Sequence, residues 1–328
     1  MRVVLIGEAA THRDELPGHE IVALPAEAAY DDRFDAELQD ADVVVSLRFS
    51  REAAPEFPLL HVPGAGLDGI KMAGLAPGTT VCNVFEHEAP IAEYVLAAML
   101  EWEIRFSSLR ASFSAESWSD VYRHRIPHGE ILGKTLGLVG YGRIGRAIAD
   151  RASAFGMQVV AVDDYASPHA QVAPWPTSQL PELLDRADFV VVTCPLTDDT
   201  RGMLDAAAFA RMKSTAVVIN AARAPILDEA ALYDALRTNT IGGAVLDVWY
   251  SYPTGSDDRV APSTFDFAGL PNAWCTPHSS AWTHELPRRR YAVIADNIDR
   301  LESGQSLRNV VRDGATGHHL TQKTKKVS

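Results

Sequence analysis

Six consecutive residues in the middle of the chain, Gly140-Tyr141-Gly142-Arg143-Ile144-Gly145, place three glycines at a spacing suited to holding a phosphate. The preceding Leu136-Gly137-Leu138-Val139 reads as a strand, and Ile144, Ala147, Ile148 and Ala149 begin an amphipathic helix. In that setting Gly140 permits a tight turn, Gly142 lets backbone approach a pyrophosphate, and Gly145 lets helix and strand pack closely. The helix N-terminus adds free N–H groups and its dipole. A second strand, Gln158-Val159-Val160-Ala161-Val162, ends at Asp163, 18 residues past Gly145. A carboxylate there accepts hydrogen bonds from ribose hydroxyls and repels a 2′-phosphate, so the pattern predicts an NAD site rather than an NADP site. Asp164 strengthens that preference, and no arginine follows to bind a 2′-phosphate.

Around this loop the chain resembles the D-isomer-specific 2-hydroxyacid dehydrogenase family. The resemblance rests on Gly133–Gly145, Cys194-Pro195-Leu196-Thr197, Ile219-Asn220-Ala221-Ala222-Arg223, Leu246-Asp247-Val248-Trp249, Thr276-Pro277-His278 and Asn297-Ile298-Asp299-Arg300-Leu301. These motifs follow the family's order over residues 1–312. The resemblance implies hydride transfer between a nicotinamide and the carbon that bears the hydroxyl or keto group beside a carboxylate. Such chemistry needs a cation for the carboxylate and an acid–base for the hydroxyl proton. Arg223 matches the family's arginine, whose planar fork suits a carboxylate. His278 matches its acid–base histidine. A surface arginine and a structural histidine are the competing readings. The resemblance also implies cofactor contacts from Arg143, Ile144, Cys194, Pro195, Thr200, Ala221 and Asp247, although Asp247 could equally be a strand-end cap. In the N-terminal part, the small-residue loop Gly64-Ala65-Gly66 matches the family's backbone grip on the substrate carboxylate, with a plain turn as the alternative.

One position departs from the family. Its members continue Leu-Asp-Val-Phe, after two variable residues, with Glu-Pro, and that glutamate pairs with the catalytic histidine. Here the stretch is Leu246-Asp247-Val248-Trp249-Tyr250-Ser251-Tyr252-Pro253, which puts Tyr252 at the glutamate's place. A phenol can orient His278 but cannot offset imidazolium charge, so His278 is expected to titrate lower than its counterparts. Tyr252 reads as a substitute orienter, as part of a pocket for an unusual acid, or as a mark of lost catalysis. Family members acting on formate carry an amide here, so the carboxylate is not obligatory. Asp257, Asp258 and Glu285 could replace it only if loops fold back. Arg48 lies where the family often contacts substrate. It and Arg123-His124-Arg125 would suit a second anionic group on the acid, unless they form a solvated cluster.

Short apolar runs must position these residues: Val3–Ile6, Val43–Leu47, Leu59–Val62, Leu136–Val139, Val159–Val162, Phe189–Thr193, Ala216–Asn220 and Gly243–Val248. Continuous apolar strands alternating with helix-length segments predict an α/β fold with parallel sheets covered on both faces. A helix is expected from Ile91 to about Phe113, with Pro90 in its first turn. We therefore expect two domains: a Rossmann-type NAD-binding domain, 89–282, inserted in a smaller flavodoxin-like substrate-binding domain, 1–88 and 283–314. A cleft between them is implied by the resemblance, and the polar tail 315–328 reads as disordered. Family members dimerise through the cofactor domain, so a homodimer is implied, with Trp102, Phe106, Phe113 and Trp118 as candidate interface residues.

Length and composition agree with two ordinary globular domains. The 328 residues are 47% hydrophobic and 22% charged. Acidic residues outnumber basic ones, 43 to 30, for a formal charge of −13, which argues against a nucleic-acid or anionic-membrane surface. The three cysteines, Cys82, Cys194 and Cys275, are too few and scattered for a disulfide framework or zinc site and read as small core residues. No metal is expected. No apolar run reaches the roughly 18 residues of a membrane helix, and a cytoplasmic location is the default expectation. The leading function is NAD-dependent oxidoreduction of a 2-hydroxy or 2-keto acid. The alternative is a non-catalytic NAD(H)-sensing, corepressor-like protein of the same fold.

Overall fold

The computed structural model describes residues 1–253 and 258–315. The chain divides into two compact units, Met1–Glu86 with the chain from Thr283 onward, and His87–Trp282. Expectations for Asp257 and for the tail beyond Ala315 fall outside the described residues.

The first unit carries strands β1 (Arg2–Ile6), β2 (Glu20–Leu24), β3 (Val43–Val45), β4 (Leu59–His61) and β5 (Thr80–Cys82). They pair in parallel in the order β5-β4-β3-β1-β2, and a further strand, Val310–Arg312, joins β5 antiparallel. This is the flavodoxin-like winding. Alternate residues of each strand face opposite sides. Val4, Ile6, Val44 and Leu60 enter one core, while Val3, Leu5, Val43 and Leu59 enter another with Tyr291, Ile294 and Ile298 of the helix Leu286–Glu302. Each such side chain contributes about 1.5–3 kcal/mol by leaving water.

His61 ends β4 fully buried, its Nε2 accepting from Asn297 Nδ2 at 3.0 Å. Burial pushes its pKa down to about 4. The unfolded chain binds this proton near the ordinary pKa of about 6.5, so the folded state is penalised as pH falls from there toward 4. We expect about 3 kcal/mol of stability to be lost across that window, about 1.4 kcal/mol per pH unit. Denaturation of a His61→Gln variant should show a flatter pH dependence; an identical slope would dismiss His61 as the cause.

The second unit carries β6 (Thr135–Val139), β7 (Gln158–Val162), β8 (Phe189–Val192), β9 (Val217–Asn220), β10 (Gly243–Leu246) and β11 (Ala273–Cys275), all parallel, in the order β11-β10-β9-β8-β6-β7. A single bridge from Val162 to Trp175 extends the β7 edge, which makes the winding that of a dinucleotide-binding sheet with a vestigial third strand. All four residues of β8, Phe-Val-Val-Val, are buried. Phe189 and Val191 face the helices Glu88–Ile104 and Arg143–Ala154. Val190 and Val192 face Leu180–Arg186, Ala206–Arg211 and Glu229–Arg237.

Several expectations are corrected. The helix from Ile91 does not run to Phe113. It spans Glu88–Ile104 and breaks at Arg105, whose φ of 55° is left-handed, before a separate helix Phe106–Ser112. The Glu101 carboxylate accepts from the Ser107 N–H and so closes the break. The stretch between that helix and Gly133 contains a further short helix, Trp118–Arg123. Of the cysteines only Cys82 is buried; Cys194 and Cys275 are half-buried. Sequence patterning did not reveal β2, a partly exposed edge strand whose Glu-Ile-Val-Ala-Leu shows no alternation, or β11 and Val310–Arg312, whose three residues show no period.

Candidate active site

The glycine loop follows β6, where the strand order reverses between β6 and β8, the place at which doubly wound sheets bind ligands. Its three glycines differ physically. Gly140 has φ of 100°, and a Cβ there would stand 2.5 Å from the backbone N of Cys194. A Cβ on Gly145 would stand 2.6 Å from the Gly140 carbonyl. Gly142 caps the helix, and a Cβ there would meet nothing within 4 Å. Two glycines are therefore dictated by packing, and the third borders open space in front of a helix N-terminus. That cradle fits a dinucleotide pyrophosphate.

Asp163 braces the same loop. Its Oδ2 accepts from the Tyr141 N–H and its Oδ1 from those of Tyr165 and Ala166, each at 2.8 Å. Three N–H groups leave one acceptor position on Oδ2 for a ribose hydroxyl. The Asp164 carboxylate instead accepts from Thr177, whose side chain and then its N–H hold the pKa down. Arg143 lies 3.6 Å from Glu88, and Ile144 is half-buried against the core. After β8, Cys194 donates its N–H to the Val139 carbonyl, and Thr200 Oγ1 donates to the Pro195 carbonyl, closing a turn. Ala221 follows β9, buried.

Four sequence-identified residues of this unit gather around two loops, after β10 and after β11. Asp247 is fully buried, accepting from Thr276 Oγ1 (2.6 Å), Ser279 N (2.8 Å) and Ser280 N (2.9 Å). It thereby clamps the loop bearing His278, whose left-handed φ of 55° costs about 1–3 kcal/mol that such surrounding bonds offset. Trp249 braces the two loops, its indole Nε1 donating to the Thr276 carbonyl at 2.9 Å. Tyr252 Oη lies 2.9 Å from His278 Nδ1 and accepts from the Trp249 N–H at 3.0 Å. No partner occupies His278 Nε2 among the described residues. Arg223 follows β9 in a turn closed by Asn220, whose side chain accepts from the Ala222 N–H and donates to the Arg223 carbonyl. His278 is exposed, yet the protein packed behind its ring desolvates it and pushes its pKa down; Asp247 pulls it up, and Arg223 pushes it down again.

Sequence reasoning overlooked three members of this cluster. Thr276 links Asp247 to Tyr94, whose hydroxyl lies 2.7 Å from Thr276 Oγ1, and Trp249 supplies both its N–H groups. Thr276 and Trp249 stood inside quoted motifs without a role. Tyr94, 182 residues from Thr276, gave no signal.

The first unit holds Gly64, Ala65, Gly66 and Arg48. The Gly64 and Ala65 carbonyls accept from Val84 N and Asn83 Nδ2, while none of the three N–H groups has an acceptor among the described residues. Arg48 lines an open pocket of about 400 Å³ with Tyr30, Ser50, Asp68 and Lys71, and its guanidinium makes no ion pair or hydrogen bond among the described residues. Lys71 is paired with Glu52. The basic cluster is engaged locally: Arg125 lies over the Tyr122 ring, and His124 pairs with Asp120. Asp258 is exposed, and Glu285 belongs to the first unit. Among the described residues no cluster of three or more metal-ligating side chains occurs, and no helix is long and apolar enough to cross a membrane.

Comparison with known proteins places these features. Residues 96–280 match the family described as D-isomer specific 2-hydroxyacid dehydrogenase, NAD binding domain. A D-3-phosphoglycerate dehydrogenase of Methanocaldococcus jannaschii is 32% identical over 284 residues, 84% of this chain and 52% of that protein. This chain thus spans about half the length of that relative. An (S)-sulfolactate dehydrogenase of Chromohalobacter salexigens is 35% identical, covering 77% of this chain and 81% of the relative. The crystal structure of a 2-hydroxyacid dehydrogenase from Ketogulonicigenium vulgare superposes with a TM-score of 0.76 at 25% identity, over 97% of this chain and 99% of that one. With its glycine cradle, its β6–β8 crossover and these matches, the chain belongs to the D-isomer specific 2-hydroxyacid dehydrogenase family.

Proposed function

We propose that this protein is an NAD-dependent oxidoreductase of a 2-hydroxy or 2-keto acid. The observation that carries the reading is His278, held on one edge by Tyr252 while its Nε2 stays open. A proton-transfer residue needs that arrangement: a fixed ring and a free nitrogen. Bound reduced nicotinamide supplies the hydride that the substrate's carbonyl carbon receives. The accompanying proton reaches the keto oxygen from His278 Nε2, and the Arg223 fork binds the substrate carboxylate. Asp247 fixes the His278 loop, and Tyr252 orients the ring. The free N–H groups of Gly64, Ala65 and Gly66 suit an anion as well. Asp163, with one acceptor position left, favours NAD over NADP.

Turnover of NADH with a panel of 2-keto acids, including phosphonate and sulfonate analogues, tests the reading. Tight NADH binding without turnover on any of them would favour the NAD(H)-sensing alternative. That alternative is not favoured, since the named relatives are dehydrogenases and cofactor binding alone needs neither Arg223 nor His278.

The substrate carries a second anionic group. Two relatives are named for acids that bear a phosphate or a sulfonate, and Arg48 offers an unspent guanidinium in its pocket. Asp68 and the Glu52-paired Lys71 balance the remaining lining charge, which leaves the anion dependent on Arg48. An Arg48→Ala enzyme should show a KM raised roughly 10- to 100-fold for dianionic acids, the worth of one charge-assisted hydrogen bond. Its KM for monoanionic acids should hardly move. Equal effects on both would remove Arg48 from the substrate site.

The protein acts as a cytoplasmic homodimer in this reading. Phe106, Leu109, Phe113, Trp118, Tyr122 and Ile126 expose 45–86% of their surface on one short stretch of the second unit. Such a patch calls for a covering partner, and a second copy is the simplest. Trp102 does not join it, being half-buried against Trp274 at 4.8 Å. Light scattering should give twice the 35.6 kDa chain mass, and Trp118→Glu should shift it toward the monomer. A monomeric wild-type mass would refute the dimer.

A further inference from the structure

The hydrogen-bond arithmetic at Tyr252 fixes more than the orientation of His278. The backbone nitrogen of Trp249 can only donate, so Tyr252 Oη accepts there, at 3.0 Å. Oη then has one hydrogen and one lone pair for its remaining neighbour, His278 Nδ1, at 2.9 Å. An unprotonated Nδ1 takes that hydrogen, and every group is matched. A protonated Nδ1 would make Oη accept twice and turn its own hydrogen out to water. We infer that Tyr252 donates to Nδ1 and holds neutral His278 in the Nε2–H tautomer, acting as a positioning residue that chooses which ring nitrogen carries the proton. The inference rests on the reading of His278 as the proton-transfer group. An acceptor-only carboxylate in the same place would select the opposite tautomer, with Nδ1–H and a bare Nε2.

The choice has a directional consequence. Reduction of a keto acid takes the Nε2 proton from imidazolium and leaves neutral imidazole with its proton on Nδ1. Oxidation of a hydroxy acid needs a bare Nε2 to receive the hydroxyl proton, which again means a proton on Nδ1. Both productive forms therefore carry Nδ1–H, and the form Tyr252 favours lies off the reaction path. Lowering the pH repopulates imidazolium and restores reduction. Raising the pH does not restore oxidation, because the ratio of two neutral tautomers is independent of pH. Desolvation of the ring pushes the His278 pKa down; of the charged groups named against it, Asp247 favours imidazolium and Arg223 opposes it. One ordinary hydrogen bond corresponds to a preference of about fivefold.

Nitrogen-15 NMR of the full chain with labelled histidine, above the imidazole titration, reads the tautomer directly; His278→Gln assigns the signal. We expect Nε2 in the protonated range and Nδ1 in the unprotonated range. Tyr252→Glu should exchange the two and raise the His278 titration by about 1–3 pH units. It should also lift the high-pH plateau of kcat for hydroxy-acid oxidation about fivefold. Tyr252→Phe should give a mixture of tautomers. A wild-type Nδ1–H signal, or a Tyr252→Glu protein with an unchanged tautomer, overturns the inference. The two readings fail separately: no turnover on any acid with an Nε2–H signal overturns the enzyme and supports the tautomer, whereas turnover with Nδ1–H overturns the tautomer alone.

Discussion

Replacing His278 with glutamine should lower kcat for keto-acid reduction by about 10²- to 10⁴-fold, the usual worth of a positioned general acid. The NADH dissociation constant should remain nearly unchanged, because the glycine cradle and Asp163 are built by other loops of the unit. Glutamine keeps an acceptor for the Tyr252 hydroxyl, so the Trp249–Tyr252 bond and the loop clamp at Asp247 survive. The loss then reports the missing proton and not a collapsed loop. Stopped-flow hydride transfer and fluorescence titration of NADH separate the two quantities. A kcat within tenfold of the wild type would transfer the proton to another donor. A parallel loss of NADH affinity would make His278 a structural residue. For the wild type, desolvation of the ring lowers the His278 pKa against the upward pull of Asp247, and the Arg223 charge adds to the lowering. Reduction should therefore quicken as pH falls below about 6.5, since imidazolium is the donor and its population grows there.

The glycines offer the second large effect, with opposite signatures at neighbouring positions. Gly142→Val should weaken NADH binding by roughly 100-fold or more, because the new side chain fills the space where charge-assisted backbone bonds of about 1.5–3 kcal/mol each would form. Its thermal midpoint should scarcely change, since a Cβ there meets no protein atom within 4 Å and the backbone φ of −75° suits any residue. Gly140→Ala should instead destabilise the fold by about 1–3 kcal/mol or more, with φ of 100° and a backbone nitrogen 2.5 Å from the new Cβ. Calorimetry with and without NADH distinguishes the two variants. Stable folding of Gly142→Val with full NADH affinity would place the pyrophosphate elsewhere.

The dinucleotide cradle was legible because its information is local. Strand, loop and helix are contiguous from Thr135 to Ala154, and each glycine's job follows from backbone distances within that stretch or to the adjacent β8 end. The break at Arg105 was not legible, since apolar periodicity continues through residues that the fold leaves exposed. The cluster around His278 was half legible. Resemblance to the family singled out Arg223, Asp247, Tyr252 and His278, but the residues that fix them, Tyr94, Trp249 and Thr276, act through contacts between distant segments.

The sequence by itself determined the α/β class and the glycine loop with its acid, and its resemblance to the family supplied the candidates for moving a proton or binding a carboxylate. The first two follow from side-chain period and glycine spacing, which are properties of single segments. The tertiary structure alone decided that Asp247 is spent on clamping a loop, that Asp163 braces the glycine turn with three backbone bonds, and that Tyr252 meets His278 at Nδ1. Hydrogen-bond partners depend on which loops arrive side by side at the ends of β10 and β11. That adjacency begins with the pairing of β10 with β11 and is held by the loop residues Asp247 and Trp249.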